Sequence, residues 1–170
     1  MNDTVICSGC GRAHPKSETE LGFHWPDAVH GLTDDEKRQR CRQSSDACVL
    51  DERHFFVRGC LPFVVSGRTL AYNIGVWAEV PKAVFGRIYD LWSDPAQVSE
   101  PRFLGTLANE LPLQPNTLGL ALEIQLTGPT TRPEFILVAT THPLCEEQAH
   151  GITAHRAAEY SDAARKSSAA

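Results

Sequence analysis

The sequence predicts an α+β fold, an antiparallel sheet of about five to six strands with helices packed outside it and a knuckle-like turn at the N-terminus. Three observations predict it. Runs with two-residue alternation recur, joined by Gly- and Pro-containing turns. Segments with helical spacing separate some of them. Near the start stands Cys7-Ser8-Gly9-Cys10-Gly11, a thiol pair set in a tight turn.

Residues 4–6 read as a short strand leading into that turn, and residues 15–32 as irregular chain, with Gly22, Pro26 and Gly31 among Phe23 and Trp25. Thr33 opens Thr-Asp-Asp-Glu, a capping box with Glu36, and predicts a helix over 34–43. That helix has almost no apolar stripe, so it belongs on the surface. Its acidic start and basic end, Lys37-Arg38-Gln39-Arg40-Cys41-Arg42, match the helix dipole.

Strands follow at 46–50 and 53–65. Gly59 inside the second suggests a bulge, and Pro62 an edge or a bend. Ser66-Gly67-Arg68 suits a hairpin turn. Over 69–80, Leu70, Tyr72, Ile74, Val76 and Ala78 point one way. Pro81 begins a helix over 82–93, whose Val84, Phe85, Ile88, Leu91 and Trp92 dock on the sheet.

A strand is expected at 103–108, then breaks at Pro112 and Pro115. Leu118, Leu120, Leu122, Ile124 and Leu126 alternate with polar or small residues, and the turn at 128–133 returns the chain as a strand at 135–140. Thr153 caps an Ala-rich helix to about residue 166. The chain reads as one α+β domain, 1–170, with a knuckle segment at 1–15, a core at 16–160 and a frayed tail at 161–170.

Composition bounds the partners. The net charge of −5 and the balanced basic run argue against nucleic acid. No secretory signal and no membrane-length apolar window is present, so the expected compartment is the cytoplasm, away from membranes. In that reducing setting Cys7, Cys10, Cys41, Cys48, Cys60 and Cys145 read as metal ligands or small core residues rather than disulfides. No strand–Gly-rich loop–helix unit supports a Rossmann or P-loop nucleotide site.

Several short patterns occur together: Cys7-x-x-Cys10-Gly11 with His14-Pro15, Ser45-Asp46-x-Cys48, Phe56-x-Arg58-Gly59, Gly75-Val76-Trp77-x-x-Val80, Phe103-Leu104-Gly105-x-Leu107, and His142-Pro143-Leu144 with Gly151-Ile152. Over about residues 5 to 158 the chain resembles a bacterial family of uncharacterised proteins, domain of unknown function 2199. The resemblance implies no activity, substrate or partner. It implies that the metal-ligand residue types belong to a family pattern, with Cys41, Cys60 and Cys145 outside it.

Two thiolates two residues apart can face one zinc ion at about 2.3 Å, and Gly11 helps the backbone turn toward them. A tetrahedral site needs two further ligands, for which His14 and Cys48 are the first candidates, with His142 and Cys145 behind them. A redox pair or two unligated thiols are the other readings of Cys7 and Cys10. His142-Pro143-Leu144-Cys145 allows a Cys–His nucleophile, or more simply a histidine ring capping a helix beside a small apolar cysteine. Arg58, in an apolar strand, would bind an anion or pair with Asp46, Asp51 or Glu79. Trp77, Trp92 and Phe103 read as core, Glu123 and Gln125 as a solvated sheet face.

These features predict a zinc-stabilised, non-catalytic interaction module with a protein partner. The alternatives are a metal-dependent hydrolase with an open zinc position and a thiol redox protein.

Overall fold

A computed structural model describes residues 4–6, 13–15 and 19–168, the first two segments and residues 167–168 by backbone alone. Strands β1 (Thr4–Ile6) and β2 (Ala13–Pro15) pair antiparallel, with Val5 opposite His14. A single turn, α1 (Asp27–His30), precedes α2 (Asp34–Arg40). The capping box forms: the Thr33 hydroxyl accepts from the Glu36 amide, and the Glu36 carboxylate accepts from the Thr33 amide at 2.8 Å. No residue of α2 is buried, as its missing stripe requires.

The expected helix over 34–43 ends three residues early. Cys41–Gln43 is instead a strand, β3, pairing antiparallel with β4 (Ala47–Leu50). Ladder bonds to β4 outweigh local helix preference there. Asp51 and Glu52, both at positive φ, form the tight turn into β5 (His54–Phe63). Next come β6 (Tyr72–Val80), α3 (Lys82–Leu91), a 3-10 turn at Pro95–Ser99 and β7 (Phe103–Leu107). The chain ends with β8 (Ala121–Gln125), β9 (Glu134–Leu137), α4 (Pro143–His150) and α5 (Ala154–Ser168). Leu70, expected to share a face with Tyr72 and Ile74, and Leu118, expected in the alternating run with Leu120 and Leu122, lie beyond their strand ends and are 81% and 56% exposed.

The larger sheet runs β3-β4-β5-β6-β7-β8-β9, and β9 returns to touch β5. That contact, Cys60 opposite Glu134, is parallel, so the sheet is mixed and not purely antiparallel. It closes β5 through β9 into a barrel, with β3 and β4 continuing from one edge of β5. Gly59 makes the closure possible. A Cβ there would sit 2.4 Å from Phe135 Cε1 and 2.7 Å from the Pro133 carbonyl oxygen. The expected bulge is absent, since Arg58, Gly59 and Cys60 stay in unbroken register with Trp77, Val76 and Gly75.

Alternation fills the barrel with Val57, Leu61, Phe63, Ile74, Val76, Leu122, Ile124 and Phe135. The helices lie outside the strands, toward the barrel ends. In α3, Phe85 meets Phe55 at the start of β5; in α5, Tyr160 meets Phe63 at its finish. A smaller cluster covers the outer face of β4–β6: Val29, Cys48, Leu50, Phe56, Trp77 and Ala108, with Phe23, Trp25, Leu32 and Cys41 packed against them. Among the described residues no helix is long and apolar enough to cross a membrane.

Candidate functional site

Side chains of chemical interest gather on that outer face. Antiparallel register sets Cys41 opposite Leu50 and Gln43 opposite Cys48, so the two cysteines are diagonal neighbours on one face. Their thiols lie within hydrogen-bonding reach of each other, and both are free. Cys48 is fully buried, and burial, reinforced by Cys41, pushes its thiol up to about 12. Burial raises the Cys41 thiol as well. Burial outweighs the charges of Arg40 and Lys37 near Cys41 and keeps both thiols protonated; a bound metal would reverse that preference.

The chain just before α1 and the first residue of α1 are tied to this face through a buried amide. The Asn109 side chain accepts from the Trp77 amide at 2.8 Å and donates to the Trp25 carbonyl and the Asp27 carboxylate, each at 2.9 Å. The Trp77 indole N–H donates to the Phe23 carbonyl at 3.1 Å. Sequence reasoning passed over Asn109, which carries no periodic or motif signal and is identified only by its fully buried position.

Arg58 stands beside Trp77 across the β5–β6 ladder, its guanidinium 5.8 Å over the indole ring. Among the partners weighed for it, Asp46 is the near one, but only the Arg58 backbone amide bonds to the Asp46 residue, through its carbonyl oxygen at 2.9 Å. The Asp46 carboxylate is taken by the Arg132 Nε at 2.7 Å and the Ser45 hydroxyl at 2.8 Å. Burial acts to raise the Asp46 carboxyl, yet these two bonds outweigh it and hold the group below the usual carboxylate range. Burial and then the charge of Arg132 lower Arg58. The Arg58 Nε is buried with no hydrogen-bond partner among the described residues. An unmet buried donor of this kind costs about 1–3 kcal/mol.

Asp51 bonds Arg40 through both carboxylate oxygens, and Glu79 bonds His54, so neither partners Arg58. Near Asp46 a cavity of about 420 Å³ opens between residues 44–47 and α3, walled by Phe85, Ile88, Tyr89 and Trp92.

His142 lies elsewhere, as the N-cap of α4. Its Nδ1 accepts from the Leu144 amide at 3.1 Å, and its Nε2 meets the Pro115 carbonyl, so the ring is the tautomer with hydrogen on Nε2. Both nitrogens are thereby engaged, and neither faces Cys145, whose sulfur accepts from the Thr140 hydroxyl and lies against the Val138 carbonyl. Cys7 and Cys10 lie outside the described residues; of His14 only the backbone pairing with Val5 is described. Among the described residues no three His, Cys, Asp or Glu side chains form a group able to hold a metal.

The model of an uncharacterised protein family conserved in bacteria, DUF2199, matches residues 6–152. The chain belongs to this family. The matched span runs from the end of β1 to Ile152, two residues beyond α4, and so includes the outer face, Arg58 and Asp46. No curated protein and no solved structure matches the chain.

Proposed function

We propose that the chain is a zinc-stabilised interaction module, with Cys7, Cys10 and Cys48 as sulfur ligands and His14 completing the set, and that its partner is a protein. The observation that carries the reading is the free thiol pair Cys41–Cys48 on the outer face, apart from the barrel core. Soft sulfur donors on one face suit zinc, and the antiparallel pairing of β1 with β2 suits a knuckle in the segment that joins them. Three sulfurs and a nitrogen close a tetrahedron and leave no position for water, which makes the metal structural and the module non-catalytic. Such a site would hold the first fifteen residues to the body of the fold, because zinc binding supplies folding energy directly. Cys41 competes with His14 for the fourth position.

The test is elemental analysis of the full chain purified without added metal. About one zinc per chain is expected, falling sharply in Cys48→Ser, and less than about 0.2 with freely titratable thiols overturns the metal. Loss of zinc in His14→Gln with retention in Cys41→Ser supports the ligand set above, and the reverse result replaces His14 by Cys41.

A further inference from the structure

Strand β5 changes partners partway along one edge. Strand β4 pairs with it over His54–Val57, and β9 meets it at Cys60. At the handover the Arg58 amide donates to the Asp46 carbonyl and the Cys60 amide to the Pro133 carbonyl, each at 2.9 Å. The chain entering β4 and the chain entering β9 therefore converge on Arg58, bringing Ser45, Asp46 and Arg132 with them. The convergence places two guanidinium groups around one carboxylate. Both oxygens of that carboxylate are used by Arg132 and Ser45, while the buried Arg58 Nε has no acceptor among the described residues. The charges acting on Arg58 are those of Arg132 and Asp46, with the Cys60 thiol beyond them. Burial raises that thiol, so it stays neutral; Glu20 and Glu134 act on Cys60 as well, and within the trio of Arg58, Arg132 and Asp46 two guanidinium charges face one carboxylate.

We propose that Arg58 and Arg132, arranged around Asp46 where β5 passes from β4 to β9, bind a small carboxylate anion. A monoanion cancels the single excess charge. A phosphate dianion would overshoot it and face the Asp46 carboxylate. A planar carboxylate also presents two oxygens to the guanidinium fork, in the pairing that makes arginine the preferred carboxylate receptor. Trp77, lying under the Arg58 guanidinium, holds that group in place on its other side.

The experiment follows the arginine Nε–H resonances of the full chain by proton–nitrogen NMR. Sodium acetate is titrated at a constant ionic strength of about 0.15 M, with sodium chloride and inorganic phosphate as parallel arms. The Arg58 signal is assigned by its loss in Arg58→Lys. Acetate is expected to move it along a saturating curve, phosphate to require a higher concentration, and chloride to give no saturation. Arg132→Gln, at a half-exposed position, should weaken acetate at least about tenfold. A linear acetate response equal to that of chloride overturns the site. Phosphate saturating before acetate overturns the ligand class, and an unchanged acetate midpoint in Arg132→Gln overturns the two-arginine arrangement. Should Arg58→Lys not fold, triple-resonance assignment of the wild-type chain identifies the Arg58 Nε–H, and the same curves and Arg132→Gln decide the matter.

Discussion

The β5–β6 pair is buried on its inner face and partly buried on its outer face, and the two faces are covered in different ways. Inside the barrel Val57, Leu61, Phe63, Ile74, Val76 and Ala78 meet side chains from the other strands, and closure of the sheet itself keeps water out. On the outer face Phe56 and Trp77 are as deeply buried, but beside them stand Cys48, Arg58 and Cys60, and the cover is the chain from about residue 21 to 32. The inner face is satisfied by shape, apart from the Tyr72 hydroxyl, which bonds the Leu21 amide and Ser161. The outer face depends on directed bonds, through Asn109 and the Trp77 indole, and retains groups with unmet bonding capacity. Closure provides the stability; the face it leaves outside is free to carry chemistry.

The largest break should come from the inner face. Gly59→Ala drives a methyl into the Phe135 ring and the Pro133 carbonyl, the backbone that closes the barrel. A loss of at least about 3 kcal/mol is expected, seen as a lower urea midpoint. Pairing it with Phe135→Leu should recover part of that loss. An unchanged midpoint in Gly59→Ala would mean that the closure is not tight at this point.

On the outer face Asn109→Ala removes three hydrogen bonds at once and strands the Trp77 amide in an apolar setting. The cost should be about 2–3 kcal/mol. Its signature separates it from the barrel variant: hydrogen exchange should quicken at Phe23 and the Trp77 indole, while the β8–β9 amides keep their protection. Uniform loss of protection would show that the two faces fold as one unit.

Much of this architecture was legible in the sequence where the cue was local. Thr33 and Glu36 announce their capping box, and Val84, Phe85, Ile88, Leu91 and Trp92 announce the docked helix α3. The alternation in β6 and β8 was equally direct. Closure was not legible, because it rests on one parallel contact between Cys60 and Glu134, which no short-range pattern encodes. Gly59 was noticed as unusual but assigned to a bulge, since only the fold brings the Phe135 ring against it. Helix α4 was given no range because it buries only Leu144 and Cys145, too few for a stripe, although a helix capped by the His142 ring was the simpler reading of His142-Pro143-Leu144-Cys145. Of the candidate site, Cys48, Arg58 and Asp46 were visible as residues; the nearness of Cys41 to Cys48 and of Arg132 to Asp46 was not, because β3 and the β8–β9 turn create them.

A smaller effect should appear in acid. Asp46 is held below the ordinary carboxylate range in the fold, so its ionised form contributes stability above the unfolded value of about 3.9, and that contribution is lost as pH falls through the lower folded value. Asp46→Asn removes it. The variant should be less stable than wild type by about 1 kcal/mol near neutral pH, a modest figure because the pair is partly exposed. The gap should narrow below about pH 4. Denaturation at a series of pH values measures it, and a gap constant from neutrality into acid would show that the Arg132 bond does not act through charge.

The smallest change lies off both faces and works in the opposite direction. The β4–β5 turn places Asp51 at φ 51° and Glu52 at φ 55°, with the Arg53 amide returning to the Leu50 carbonyl at 3.1 Å. Positive φ at both central residues is the geometry in which the second position favours glycine. Asp51 has reason to stay, since Arg40 grips its carboxylate through two hydrogen bonds. The Glu52 side chain is largely exposed and has only a loose ion pair with Arg42 at 3.6 Å to lose. Glu52→Gly therefore relieves left-handed strain, at the expense of some added freedom in the unfolded chain, and should gain about 0.5 kcal/mol. The gain should leave the inner-face and outer-face exchange patterns in their original ratio, since the turn feeds both. If Glu52→Gly protected only the outer-face amides, the β3–β4 extension would be folding apart from the barrel, and the line between the two regions would run along β4 rather than between the faces of β5.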